Sequence, residues 1–243
     1  MNDKVIALID SRAPASVAAS LMREGFLPIS VPPFSRLGEA VASHTDMVIL
    51  RVGDTLVSYA DYAEEAEEFF KLLRAVTRKK GYKLKFISDT AGKEYPRDAG
   101  LNALVMGDKI FSKLDTAPAA IRELAEEYSL RPIHTSQGYP ACTVLKLNDS
   151  SAVTADRGMA RTLSKAGIRV SLIENGGVSL PPYEHGFIGG ASGRYGDTVY
   201  FIGKIEAHPS YNIIWEEAKE FGLSLKSLGD GELLDLGGIL FLE

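Results

Sequence analysis

A single α/β domain built as a five-fold ring of ββαβ units is the fold that these 243 residues predict. Three observations carry it. A hairpin, helix and closing strand recur in that order four times through the middle of the chain, at a spacing of about 40 to 50 residues, the range of repeat architectures. A tight-turn pair stands at the same place in each unit: Gly53-Asp54, Gly107-Asp108, Asn148-Asp149 and Gly196-Asp197. The two ends of the chain supply the parts of a fifth unit, so pairing of the N- and C-terminal strands closes the ring and makes 1–243 one domain. A β-propeller of all-β blades is excluded because every unit contains a helix. A dinucleotide-binding fold is disfavoured, since hairpins precede the helices and no G-x-G-x-x-G follows the first strand.

The elements follow from local chemistry. Lys4 to Asp10 is an apolar strand, Pro14 to about Arg23 a helix, and Phe26 to Val31 the next strand. Pro32-Pro33 stops strand pairing, and Leu37 to Ala42 reads as a short helix. Asp46 to Val52 and Thr55 to Ser58 flank the first tight turn. Asp61 is placed to cap a long helix reaching about Lys80, with Ala66, Phe69, Phe70, Leu73 and Val76 on one face. Gly81 ends it, and Lys83 to Ile87 closes the unit. The order repeats with Leu101 to Met106, Lys109 to Ser112, a helix from Asp115 or Thr116 carrying Ile121, Leu124, Ala125 and Tyr128, and Arg131 to His134. It repeats again with Cys142 to Leu147, Ser151 to Thr154, a helix from Asp156 to Ala166, and Ile168 to Ile173. The fourth round has Gly186 to Gly190, Thr198 to Ile202, a helix opening at His208-Pro209, and Leu223 to Leu228. The last strand is Asp235 to Glu243.

With 45% hydrophobic residues the chain buries an ample core, and its net charge of −5 argues against a nucleic-acid surface. The basic patch from Arg74 to Lys85 follows an acidic run from Glu64 to Glu68, the order that suits a helix dipole. One cysteine, Cys142, excludes an internal disulfide. No signal peptide and no membrane-length apolar run is present, so a cytoplasmic location is expected and no membrane partner. No pair among the four histidines has metal-ligand spacing, so neither a metal nor a cofactor is expected.

Tyr95-Pro-Arg-Asp98, the strand at Leu101 to Met106 and the Gly107-Asp108 turn resemble the arginine- and dimethylarginine-hydrolase segment in which an Arg-Asp pair precedes an apolar strand. The ββαβ order resembles the pentein fold of the guanidine-modifying enzymes over the whole chain. The stretches Gln137 to Cys142 and Tyr183 to Gly193 are similar to an uncharacterised bacterial group with that fold. The resemblance implies that Asp98 helps to bind a cationic group. It also implies a cysteine after a Gly-Gly turn in the last strand, a catalytic His, and a Glu-Gly-Gly-Asp motif in the third unit. Here Gly237-Gly238 is followed by Ile239-Leu240-Phe241, and Gly138-Tyr-Pro-Ala-Cys142 stands at the third-unit position. Ordinary guanidine hydrolysis is therefore not expected.

The candidate site residues are Cys142 and His185 for chemistry, and Arg97, Asp98, Tyr139, Gly189 and Gly190 for ligand binding. Each has a plainer explanation: Cys142 as a small buried hydrophobe, Arg97-Asp98 as a pair fixing the strand start, and Gly189 and Gly190 as residues small enough for a crowded inner strand. His208 suits a helix-capping position, and neither His134 nor His44 has a constellation around it. The sequence thus favours a non-hydrolytic binder of a small polar, guanidino or amino-acid-like molecule. The alternatives are a Cys142/His185 enzyme of the hydrolase or transferase kind, and a protein-interaction module.

Overall fold

The computed structural model describes residues 4–243. In chain order it comprises β1 (Ile6–Asp10), α1 (Ala15–Arg23), β2 (Leu27–Val31), α2 (Thr45–Val48), β3 (Leu50–Val52), β4 (Thr55–Tyr59), α3 (Ala60–Glu65), α4 (Glu67–Thr77) and β5 (Lys83–Ile87). There follow β6 (Leu104–Met106), β7 (Lys109–Ser112), α5 (Ala119–Glu127), β8 (Arg131–His134), α6 (Pro140–Thr143), β9 (Val144–Lys146), β10 (Ser151–Thr154), α7 (Arg157–Lys165) and β11 (Arg169–Leu172). The chain ends with β12 (Val178–Ser179), β13 (Ser192–Tyr195), β14 (Thr198–Ile202), α8 (Tyr211–Glu220), β15 (Ser224–Leu228), β16 (Leu233–Leu234) and β17 (Leu240–Leu242).

Five three-stranded sheets share one plan: β17-β1-β2, β3-β4-β5, β6-β7-β8, β9-β10-β11 and β13-β14-β15. In each, the first strand pairs antiparallel with the middle strand, and the third pairs parallel to it. The parallel step needs a crossover, which α1, α3 with α4, α5, α7 and α8 supply. β12 and β16 form a separate parallel pair. The fifth sheet in sequence terms joins the two ends, with Ile6 opposite Leu242 and Leu8 opposite Leu240.

Burial grades across each sheet. The middle strands β1, β4 and β10 are buried at every residue, whereas the outer strands β8 and β11 are largely exposed or half-buried. β1 accordingly opens as a continuous apolar run, as strands covered on both faces do, whereas β4 and β10 also bury Thr55, Ser58, Ser151 and Thr154. The helices cover one side with the side chains the helical period puts there, including Phe69, Phe70 and Leu73 on α4 and Ile121 and Leu124 on α5.

Four expectations change. The first strands are shorter than the apolar runs that announce them, because a helical turn stands ahead of three of them: α2 before β3, Arg97–Ala99 before β6, and α6 before β9. Cys142 therefore sits on a helical turn and not in a strand. In the fourth repeat the strand lies at Ser192–Tyr195, beyond the glycines at 186–190. The helix expected from Asp61 to Lys80 breaks at Ala66 (φ −108°, ψ 41°), and Asp61 lies inside its first half, salt-bridged to Arg36 Nε at 2.8 Å. The helices expected from Asp115 or Thr116 and from His208-Pro209 begin later, at Ala119 and Tyr211, each after the residue that can leave helical geometry. His208 Nδ1 instead accepts the Ser210 N–H at 3.0 Å just ahead of α8. By contrast, Asp156 caps α7 as expected, accepting the Met159 N–H at 2.7 Å.

Phe241 anchors the terminal strand. It packs against Phe26, Tyr195 and Tyr200 with ring centroids 4.8 to 5.8 Å away and is almost wholly buried. Phe241→Ala should lower the unfolding free energy by about 3–5 kcal/mol, the usual cost of deleting a buried aromatic. Urea denaturation with an unchanged midpoint would show that the terminal strand is not integral to the core.

Candidate functional site

The first strands of all five sheets face one cavity of about 730 Å³. Its buried end is formed by Thr45, Asp46, Ala141, Gly189 and Gly237, which lie at or ahead of the strand starts. Towards solvent it carries Arg51, Lys146 and Arg194. Each of these cations also ties its strand to a neighbouring one. Arg51 Nη1 donates to the Phe241 carbonyl at 2.8 Å, Lys146 Nζ to the Val105 carbonyl at 2.9 Å, and Arg194 Nη1 to the Leu147 carbonyl at 2.5 Å.

Crowding at the inner strands explains the glycines. A Cβ on Gly189 would strike the carbonyl oxygens of Ala141, Val144 and Cys142, and one on Gly190 would strike the Asp235 carboxylate. The Gly190 N–H donates to the Cys142 carbonyl at 2.9 Å. Both glycines are thus required by close backbone approach, whatever else they do.

A polar cluster lies at the buried end of the cavity. Cys142 Sγ, on α6, donates to Asp46 Oδ2, on α2, at 2.7 Å, and accepts from Asn102 Nδ2 at 3.2 Å. The same amide's oxygen takes the Ala141 N–H at 2.9 Å, which fixes Asn102 against α6. His44 stands beside Asp10 and Asp235, with Nε2 4.0 Å from Asp10 Oδ2 and Nδ1 3.9 Å from Asp235 Oδ1. Asp235 accepts the Phe187 N–H at 2.9 Å and the Gly237 N–H at 3.2 Å. Asp10 is matched by Arg12, whose Nε reaches Oδ1 at 3.0 Å and whose backbone N–H reaches it at 2.7 Å. His44, Asp10 and Asp235 are each no more than 1% exposed.

Electrostatics follow from that burial. Loss of water pushes Asp46 up to about 6, against the opposing hydrogen bond from Cys142. The same loss, with the Asp46 charge nearby, pushes Asp235 up to about 7. Burial, and then the Asp46 and Asp235 charges, raise the Cys142 thiol well above its ordinary value. Burial also lowers His44 to about 3, helped by the Arg12 charge. The two contacts of nearly 4 Å between His44 and carboxylates are too long for hydrogen bonds, so desolvation prevails over them and the imidazole is neutral. Cys142 is accordingly a protonated thiol hydrogen-bonded to a carboxylate.

The structure sorts the residues singled out in the sequence. Cys142 lies in the cluster, but its neighbours are Asp46, Asn102, His44 and Asp235. Among the described residues His185 makes no hydrogen bond or ion pair with Cys142, and it does not line the cavity. Asp98 is buried and accepts from the Tyr139 hydroxyl at 2.6 Å, while Arg97 is exposed and makes no ion pair with it. Gly189 lines the cavity and Gly190 backs onto Asp235. His44, expected to have no constellation, is at the centre of one. The sequence carried one signal for this: His44, Asp46 and Asp235 each precede the first strand of a unit, as Cys142 does.

This architecture is the pentein fold of the guanidine-modifying enzymes. A Pseudomonas aeruginosa dimethylarginine dimethylaminohydrolase variant complexed with citrulline aligns at TM-score 0.54 and 12% identity, over 94% of this chain and 92% of that one. The product-bound N-terminal domain of ArgZ, a cyanobacterial arginine dihydrolase, aligns at 0.56 and 14% identity, over 99% and 98%. SxtG, an amidinotransferase of the saxitoxin pathway from Microseira wollei, aligns at 0.54 and 14%, over 92% and 88%. The chain spans 39% of the whole ArgZ chain. At such identities the likeness is one of fold. No curated protein matches the sequence. Residues 8–240 match the model described as Family of unknown function (DUF6873), and the chain belongs to that family.

The cluster predicts a pH response. Asp46 and Asp235 bind a proton more tightly folded than unfolded, so the stability they contribute is full below about 3.8 and is lost as pH rises through about 6 and 7. His44 acts oppositely: its contribution is present above 6.5 and is lost as pH falls through about 3. Between pH 8 and 7 protonation of Asp235 outweighs the opposing loss from His44 and from His208, which burial also lowers. Metal-free wild-type protein should therefore gain stability on acidification across that interval, and Asp235→Asn should flatten the gain. Urea titrations at the two pH values, with chelator present, read it directly; a wild-type protein less stable at pH 7 would contradict the assignment.

Proposed function

We propose that this chain binds a small zwitterionic molecule of the amino-acid or guanidino class in the central cavity and does not hydrolyse it. The observation that carries the reading is the cavity's polarity along its length. Asp46 stands at the buried end with Oδ1 lacking a hydrogen-bond partner, while Arg51 and Arg194 stand towards solvent beside Lys146, which is paired with Asp149 at 2.7 Å. A ligand's cationic group would meet Asp46, and its carboxylate Arg51 and Arg194. In this reading the five sheets form a closed ring around the ligand, supported by the β1–β17 pairing and by the cations that tie neighbouring first strands.

The absence of hydrolysis rests on two features. Ile239, Leu240 and Phe241 follow Gly237-Gly238, so the last strand offers no thiol. Cys142 donates its proton to a carboxylate, and burial holds that proton in place, which is the reverse of an activated nucleophile. Asp98 and Tyr139, bonded to each other and not part of the cavity lining, fix the approach to α6 in this reading.

Calorimetric titration of chelator-treated protein with arginine, ornithine, citrulline and agmatine tests it. Arginine or ornithine should bind more tightly than citrulline, which lacks the side-chain cation, and than agmatine, which lacks the carboxylate. Asp46→Asn should weaken binding about tenfold or more, the loss of one charge-assisted hydrogen bond. Binding that is indifferent to Asp46→Asn, no binding at all, or arginine turnover abolished by Cys142→Ala would each overturn the proposal.

A further inference from the structure

We propose that His44, Cys142 and Asp235 form a binding site for a divalent transition-metal ion of the zinc type. This goes beyond the ligand reading and does not depend on it. One donor atom from each of the three side chains lies within 4.8 Å of the other two, and all three residues are buried. They come from three units: His44 just ahead of α2, Cys142 on α6, and Asp235 on the approach to β17. Tetrahedral ligation, at roughly 2.0 Å to nitrogen or oxygen and 2.3 Å to sulfur, needs donors somewhat closer than this, a contraction within the reach of side-chain rotation.

The second observation is independent of proximity. His44 is 1% exposed, and neither ring nitrogen has a hydrogen-bond partner. Buried polar nitrogens are nearly always satisfied, and an ion among these three groups would satisfy one of them. The neutral imidazole is the form that ligates. Asp235 is held in place by the Phe187 and Gly237 N–H groups, the kind of outer support that orients a metal-binding carboxylate. Gly190 gives that carboxylate the space a side chain would fill.

Charge balance points the same way. Arg12 neutralises Asp10, but among the described residues no Lys or Arg forms an ion pair with Asp46 or Asp235. A divalent ion bound by the Cys142 thiolate and the Asp235 carboxylate brings their sum to zero. In that step a metal–sulfur bond replaces the S–H bond, and the proton passes to Asp46, which already accepts from the thiol. The metal gives up bound water to the three ligands. One nitrogen, one sulfur and one carboxylate suit zinc or cobalt better than magnesium or calcium, which prefer oxygen alone.

Cobalt is the probe. Metal-free protein, and protein refolded from urea with Co²⁺ present, should each be examined by absorption spectroscopy and by metal analysis after dialysis. We expect one Co²⁺ per chain, a thiolate-to-cobalt charge-transfer band, and loss of that band on addition of one equivalent of Zn²⁺. Cys142→Ala should abolish the band, and His44→Gln should weaken cobalt binding at least tenfold while leaving a band at saturation. His185→Gln, outside the cluster, should change neither. A wild-type protein with no band after refolding overturns the proposal, as does stoichiometric metal retained undiminished in both Cys142→Ala and His44→Gln. If a variant misfolds, the wild-type spectrum alone decides. The titrations without metal and the cobalt spectra without ligand fail separately.

Discussion

The hydrogen bond from Cys142 to Asp46 joins residues 96 apart in sequence at the point where the inner strands begin. Its donor is buried and its acceptor lies at the inner end of the cavity, so leaving the thiol unmet would cost more than the bond contributes. Its donor and acceptor are held from outside the pair. Asn102 fixes α6 through the Ala141 N–H, and the Asp46 N–H is given to the Gly237 carbonyl at 3.2 Å. Three units are thereby registered against a fourth through polar contacts, where apolar packing alone would tolerate sliding.

The same requirement explains the backbone around the cluster. Helical turns ahead of β3 and β9 bring Asp46 and Cys142 inward at the strand starts, positions from which an extended strand would alternate its side chains to either face. Glycines at 189, 190 and 193 let the fourth repeat approach α6, Asp235 and Ile239 closely. The cost is local: two carboxyls and an imidazole sit in a medium that disfavours their charged forms. The chain therefore holds a protonated thiol and titratable acids where its inner strands begin.

Much of the architecture was legible because it is written in period and punctuation. Gly53, Gly107 and Gly196 adopt positive φ at their turns, and β1 and β14 are dominated by apolar side chains. Asp156 announced α7 because its cap is local. The helix starts at Ala119 and Tyr211 were misplaced because Pro118 and Ser210, without side-chain caps, end the preceding turn. The site was legible only in part. Cys142 was found as a lone thiol, but its partners are set by the meeting of separate units, which no spacing encodes. His44 and Asp46 stand two residues apart in a stretch that reads as an ordinary strand start, and the resemblance to hydrolases directed notice to Asp98 and His185.

Registration of the units through the cluster requires Asp46 and Cys142 to be energetically coupled. A double-mutant cycle on unfolding free energy, with Asp46→Asn, Cys142→Ala and both together in metal-free buffer, measures that coupling directly. A hydrogen-bonded buried pair predicts non-additivity of about 1 kcal/mol or more. Additive losses would mean that the two residues act independently, and the cluster would then not be what registers the units.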